Sequence, residues 1–130
     1  MDFSEIYNNA YYLIYNINYY IKINDVNPLI DKLFNDLKIK EWAFITAFNP
    51  QSIPLCKEEN KSLNENLFND LKAYKVMLGE SGDLNNNWEK EKSYLVLGIE
   101  LSEAIKLAKK YNQRAILYGK LNNKSELIFI

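Results

Sequence analysis

From Trp42 to Phe48 the chain runs Trp-Ala-Phe-Ile-Thr-Ala-Phe, broken by one polar residue, Thr46, and stops in Asn49-Pro50. A short apolar run with so little polar alternation predicts a strand covered on both faces. The Asn-Pro turn leaves a polar cluster, Asn49-Pro50-Gln51-Ser52, at the carboxyl end of that strand. In open α/β sheets, sites sit at such ends.

The remaining elements arrange themselves around this strand. Asp2 and Glu5 form a capping-box pattern, and Phe3, Ile6, Tyr7, Ala10 and Tyr11 follow at helical spacing, which predicts a first helix of about three turns. Tyr15, Ile17, Tyr19, Ile21 and Ile23 alternate with Asn16, Asn18, Tyr20 and Lys22, a period of two that predicts a half-buried strand over 15–23. Asn27-Pro28 is a helix start, and Leu29, Ile30, Leu33, Phe34 and Leu37 form one apolar face.

A third helix begins near Cys56, with Glu58 and Glu59 where the macrodipole favours anions and Leu63, Leu67 and Leu71 as its buried stripe. Tyr74 to Leu78 reads as a strand ending at Gly79, and 80–92 as an exposed loop. Tyr94 to Ile99 is another apolar strand. Ser102 caps a last helix lined by Leu101, Ala104, Ile105, Ala108 and Tyr111. Arg114 to Tyr118 and Glu126 to Ile130 read as a terminal hairpin across a turn at 119–125.

The order is αβαβαββαββ. Two strand–helix–strand units, 42–78 and 94–118, favour a parallel or mixed sheet with right-handed crossovers, and the hairpin and N-terminal strand add antiparallel edges. The expectation is one α/β or α+β domain over 1–130, with a mixed sheet of about six strands and about four helices.

Composition excludes several chemistries. With no histidine among 130 residues, Ser-His-Asp and Cys-His catalysis, histidine metal sites and imidazole proton shuttles all fall away. Proton chemistry near neutral pH is left to a carboxylate with a raised pKa, a depressed lysine, or Cys56. The net charge of −1, with Arg114 the sole arginine, argues against a nucleic-acid partner. No apolar run approaches the roughly 18 residues of a membrane span, so no membrane partner is expected. A lone cysteine precludes an internal disulfide and suits a reducing, cytoplasmic setting. No cofactor and no metal are expected. The abundance of Asn, Ile and Lys reads as codon bias in an AT-rich genome.

Three clusters carry opposed readings. Asn49 to Ser52 either binds an anion or polar ligand or is a self-capped turn. Glu59 suits a capping box with residue 56, whereas Asn60 is a mediocre helix former with no cap to make, which suits a clamp on the 49–52 loop. The Gly79-Glu80-Ser81-Gly82 segment reads as a turn, lacks the Walker lysine and leads into a loop with Asp83, Trp88, Glu89 and Glu91. That loop is either a lid carrying an acid or base, Glu80 or Glu91, or a solvated charged segment pinned by Trp88. Cys56, flanked by Glu58 and Glu59, is a poor nucleophile. Arg114 suits a surface ion pair, and the tyrosines at 7, 11, 12, 15, 19 and 20 suit core and interface packing.

Trp42 to Ala47, Asn49-Pro50-Gln51-Ser52, Glu59-Asn60, Gly79, Gly82 and Trp88, Leu95 to Gly98, and Gln113-Arg114-Ala115 occur in an order that resembles the bacterial DUF3293 family over about residues 40–120. The chain departs from that pattern in its Gly-Glu-Ser-Gly spacing, in Cys56 at a serine-like cap and in Arg114 at an asparagine position. The family is one of unknown function, so the resemblance implies ligand-binding positions and no reaction. Those positions are Asn49, Ser52, Asn60, Gly79, Gly82, Trp88 and Gln113.

The expectation is a polar or anionic small molecule held between the 49–60 and 79–91 loops. The sequence does not decide whether that ligand is turned over; if it is, the reaction expected is hydrolysis or group transfer assisted by Glu80 or Glu91. The alternative is a non-catalytic module in which the Tyr-rich N-terminal segment or Leu127 to Ile130 pairs with a protein partner or a second copy, giving a homodimer.

Overall fold

A computed structural model describes residues 9–85 and 89–130. Its centre is a seven-stranded sheet ordered β2-β1-β4-β5-β3-β6-β7. The strands are β1 (Ala10–Ile14), β2 (Tyr19–Tyr20), β3 (Glu41–Ile45), β4 (Lys75–Asp83), β5 (Glu91–Leu97), β6 (Ala115–Lys120) and β7 (Glu126–Phe129). The α-helices among the described residues are α1 (Pro28–Asp36), α2 (Lys57–Asp70) and α3 (Leu101–Lys110), and a 3-10 turn spans Pro50–Ser52.

Every strand pair is antiparallel, so the expected parallel pairing does not form. The crossovers do join strands that point the same way. However, β5 lies between β3 and β4, and β3 lies between β5 and β6. Each crossover therefore steps over an intervening antiparallel strand, a choice of adjacency that element order cannot reveal.

Strand β3 is covered on both faces, as its unbroken apolar run predicts. Ala43 and Ile45 join Val96, Tyr94, Ile116 and Tyr118 beneath α2 and α3, which contribute Leu67, Ala104 and Ala108. Trp42 and Phe44 join Tyr12, Ile14, Leu95 and Leu117 on the opposite face, which Ile30 and Phe34 of α1 cover. Burying a large apolar side chain contributes roughly 1.5–3 kcal/mol, so these two layers hold the sheet's centre.

The helices start where the sequence expects, with different caps. Asn27 precedes Pro28 but makes no cap with its side chain. Its Oδ1 instead accepts from the Tyr19 hydroxyl (2.8 Å) and the Lys22 backbone N–H (2.7 Å). Helix α3 begins one residue before the expected cap, with Ser102 inside its first turn.

The N-terminal expectations require correction. Most of the helix expected from Asp2 lies outside the described residues, and Ala10 and Tyr11, assigned to its end, belong to β1. The expected strand over 15–23 is a turn at 15–18, with Asn18 left-handed at φ 47°, followed by the two-residue edge strand β2. The expected turn at 79–82 is continuous strand, because β4 runs on to Asp83 and pairs with β1 throughout.

Candidate functional site

Beyond Ile45 the chain leaves the sheet and enters the polar segment, and two asparagines of α2 hold it. Asn49 adopts a left-handed conformation (φ 46°), which asparagine tolerates better than most residues. Its backbone N–H donates to Asn60 Oδ1 (2.8 Å), and Asn60 Nδ2 donates back to Asn49 Oδ1 (2.7 Å). That oxygen also accepts the Leu55 backbone N–H at 3.0 Å, closing the loop on itself. Asn60 is thus the clamp its helix position suggested, and it is only 6% exposed.

Asn64, one turn further along α2, repeats the device. Its Oδ1 accepts the Ala47 N–H (3.1 Å), and its Nδ2 donates to Lys92 O (3.3 Å) and the Tyr94 hydroxyl (3.2 Å). Thr46 Oγ1 donates to Lys92 O (2.6 Å) and accepts the Phe48 N–H (3.1 Å). Sequence reasoning missed Asn64 and Thr46. The available signal was Asn60 and Asn64 at i, i+4, interrupting the face that carries Leu67 and Leu71.

Below the loop, on the α1 side of the sheet, lies a cavity of about 230 Å³ lined by Tyr12, Phe44, Asn49, Ser52, Ser81, Glu91, Ser93, Gln113 and Arg114, among others. Its walls are apolar sheet residues with a few convergent polar groups, the composition of a small-molecule site. Ser81 and Ser93 are buried and face each other across β4 and β5, Oγ to Oγ at 3.3 Å.

Glu91 opens β5 at the edge of this cavity. Burial pushes its carboxyl up to about 7, and the hydrogen bond from Asn49 Nδ2 to Oε2 (3.0 Å) partly offsets the rise. Near neutral pH the group divides between acid and carboxylate, as proton transfer requires.

Glu80 is differently placed. Its Oε2 accepts the Tyr11 hydroxyl at 2.5 Å and its Oε1 accepts the Tyr15 hydroxyl at 2.8 Å. Both carboxylate oxygens are thereby engaged in binding β1 to β4. Burial and the Glu80 carboxylate push the Tyr15 hydroxyl up to about 12 and that of Tyr11 higher still.

The two glycines have packing reasons. A Cβ on Gly79 would stand 2.2 Å from Leu13 O, and one on Gly82 would stand 2.5 Å from the Tyr11 ring. The tight β1–β4 pairing therefore accounts for both positions.

Of the remaining sequence-derived positions, Ser52 is exposed and left-handed (φ 61°) at the cavity wall. Gln113 Nε2 donates to Phe48 O (3.0 Å) and Tyr111 O (3.2 Å), tying the end of α3 to the loop. Trp88 lies outside the described residues. Cys56 is exposed and its thiol sits above its ordinary pKa. A hydrogen bond from the Glu59 backbone lowers it, but hydrogen bonding to the Glu59 carboxylate, desolvation, the Glu59 charge and hydrogen bonding to Glu58 raise it by more. Asn49, Ser52, Glu91 and Gln113 come together at one cavity, and Asn60 holds it from behind. Among the described residues no group of three or more His, Cys, Asp or Glu could hold a metal ion, and no helix is long and apolar enough to cross a membrane.

A family model described as "Protein of unknown function (DUF3293)" matches residues 45–116, more than half of the chain. No curated protein and no solved structure matches it.

Proposed function

The chain belongs to the DUF3293 family, and from that premise we propose that it binds a small polar molecule in the cavity beneath the Asn49 loop, with Glu91 as the group that moves a proton. The observation that carries this reading is the position of Glu91. A carboxyl pushed up to about 7 stands at a concave, mainly apolar surface, fixed by an asparagine that is itself fixed from behind. Such a group acts as general acid or base in hydrolysis or group transfer, so those are the reaction classes we assign. Glu80, with both oxygens engaged, serves the fold in this reading. The setting is cytoplasmic, in keeping with an exposed lone Cys56.

The test is a thermal-shift screen of amides, sugars, amino acids and small carboxylic acids against the wild type, Glu91→Gln and Asn49→Ala. A ligand at about 100 times its Kd adds roughly 2.7 kcal/mol, which moves Tm by several degrees. A shift seen in the wild type and lost in both variants supports the site. A shift that survives both places the ligand elsewhere.

A second reading rests on the sheet edges. Tyr20 on β2 and Phe129 on β7 are 54% and 53% exposed, which suits strand pairing with a partner or a second copy. Light scattering of the wild type, Tyr20→Ala and Phe129→Ala tests the second-copy form, which a wild-type monomer at high concentration would remove.

A further inference from the structure

On the other side of Asn49, over the α2 face of the sheet, lies a separate groove of about 710 Å³ between α2 and strands β4 and β5. We propose that this groove binds a phosphate-bearing small molecule, a role independent of the Glu91 cavity. Its volume falls within the range of about 300–1,000 Å³ usual for small-molecule sites.

The case begins with the face that α2 turns toward it. Lys57, Asn60, Lys61 and Asn64 line the groove at spacings of three and four residues, which is one stripe of the helix. A helix lying on a sheet normally carries apolar residues in that stripe, and α2 packs Leu63, between its two asparagines, and Leu67 on the core. The rest of its first two turns brings amides and ammonium groups to the groove.

Lys57 and Lys61 stand one turn apart and repel each other. Lys92 of β5 and Lys90 add two more charges from the opposite wall. Among the described residues, none of these four lysine side chains enters an ion pair or hydrogen bond. Three glutamates, Glu65, Glu80 and Glu89, share the groove with these four lysines, and the neutral Tyr11 and Tyr15 hydroxyls that hold Glu80 leave its charge in place, so the lysines outnumber the carboxylates by one. In a chain of net charge −1, this concentration of cations is a local exception.

An anion with several oxygens can satisfy more than one ammonium group at once, and a phosphoryl group is the common one that does so. Tyr15, 46% exposed, and Phe48 offer ring faces on which an organic portion can rest.

The experiment is calorimetric titration of the full chain with pyrophosphate, inorganic phosphate, ATP and adenosine at two ionic strengths. Pyrophosphate and ATP should bind, more weakly at the higher salt. Affinity should drop about tenfold or more in Lys61→Ala, stay within a few-fold in Lys61→Arg, and be unchanged in Glu91→Gln. Without ligand, Lys61→Ala should melt close to the wild-type temperature, because it removes the repulsion from Lys57 together with the attraction to Glu58 and Glu65. Binding by ATP alone assigns the site to phosphate esters, and equal binding by pyrophosphate assigns it to the phosphoryl group itself.

The proposal is overturned by silence with every phosphate at millimolar concentration. Adenosine binding as well as ATP would overturn it too, as would affinity lost in Glu91→Gln and kept in Lys61→Ala. The salt and adenosine comparisons use only the wild type, so they stand even if a variant folds poorly.

Discussion

Asn60 and Asn49 exchange hydrogen bonds in both directions, the side chain of one serving the backbone and the side chain of the other. Asn60→Ala therefore strands the part-buried Asn49 N–H and takes one of two donors from Asn49 Oδ1, which keeps the Leu55 N–H. A lost bond with an unsatisfied partner is worth about 1–3 kcal/mol, so the variant should lose about that much in a urea melt. Asn60→Asp keeps an acceptor for the Asn49 N–H but sets a carboxylate against Asn49 Oδ1, and should fare no better than alanine. A loss below about 0.5 kcal/mol, the level of an ordinary surface change, would mean the clamp contributes nothing.

Glu91 makes stability depend on pH in an unusual direction. Burial raises its folded-state pKa to about 7 from the ordinary 4.5, so between those values the folded protein holds a proton that the unfolded chain has released. Stability accordingly falls as pH rises through that window and levels off above it, by on the order of 3 kcal/mol. Glu91→Gln should flatten this slope and stabilise the protein at pH 8 while leaving pH 4 stability nearly unchanged. Chemical denaturation across pH checks this, and parallel curves for the two proteins would refute it.

Gly82 lies under the Tyr11 ring, where an added Cβ would come within 2.5 Å. Gly82→Ala should displace that ring, destabilise by about 1–3 kcal/mol, and free one oxygen of Glu80. The Tyr11 hydroxyl, held above its ordinary pKa by burial and by Glu80, should then titrate lower in an ultraviolet pH titration. An unchanged tyrosine titration would show that the ring had not moved.

Phe34 is 1% exposed and packs α1 against the sheet face that carries the Glu91 cavity further along. Phe34→Ala should cost about 3–5 kcal/mol. The Glu91 carboxyl, followed by carbon NMR, should keep its raised titration, because α1 does not line the cavity. A Glu91 shift moving toward 4.5 would mean that both ends of this face relax together.

The centre of the fold was legible because its signals are local. Trp42 to Ile45 has no polar alternation and is covered twice, and α2 and α3 follow their leucine and alanine spacing. The Asn60 clamp was readable because an asparagine inside a helix needs a reason. Strand β1 was not legible, because Tyr11 and Leu13 make both of its faces apolar and erase the period-two signal. The false strand at 15–23 arose because turn asparagines happened to fall between apolar residues. Gly79 and Gly82 read as a turn because their partners, Leu13 and Tyr11, are distant in sequence. Glu91 stood out only as one of several carboxylates, since the packing that sets it apart comes from elements distant in sequence.

The insertion of β5 and β6 on either side of β3 has a consequence for the order of assembly. Ala43 pairs with Val96 and with Tyr118, so neither neighbour of the middle strand is close to it along the chain. The β4–β5 and β6–β7 hairpins can form early on local contacts, whereas β3 must wait for two long loops to close. High contact order of this kind slows folding toward the millisecond-to-second range. A strand that the finished fold buries on both faces thus spends the longest time unpaired, and dilute refolding should succeed where concentrated refolding aggregates.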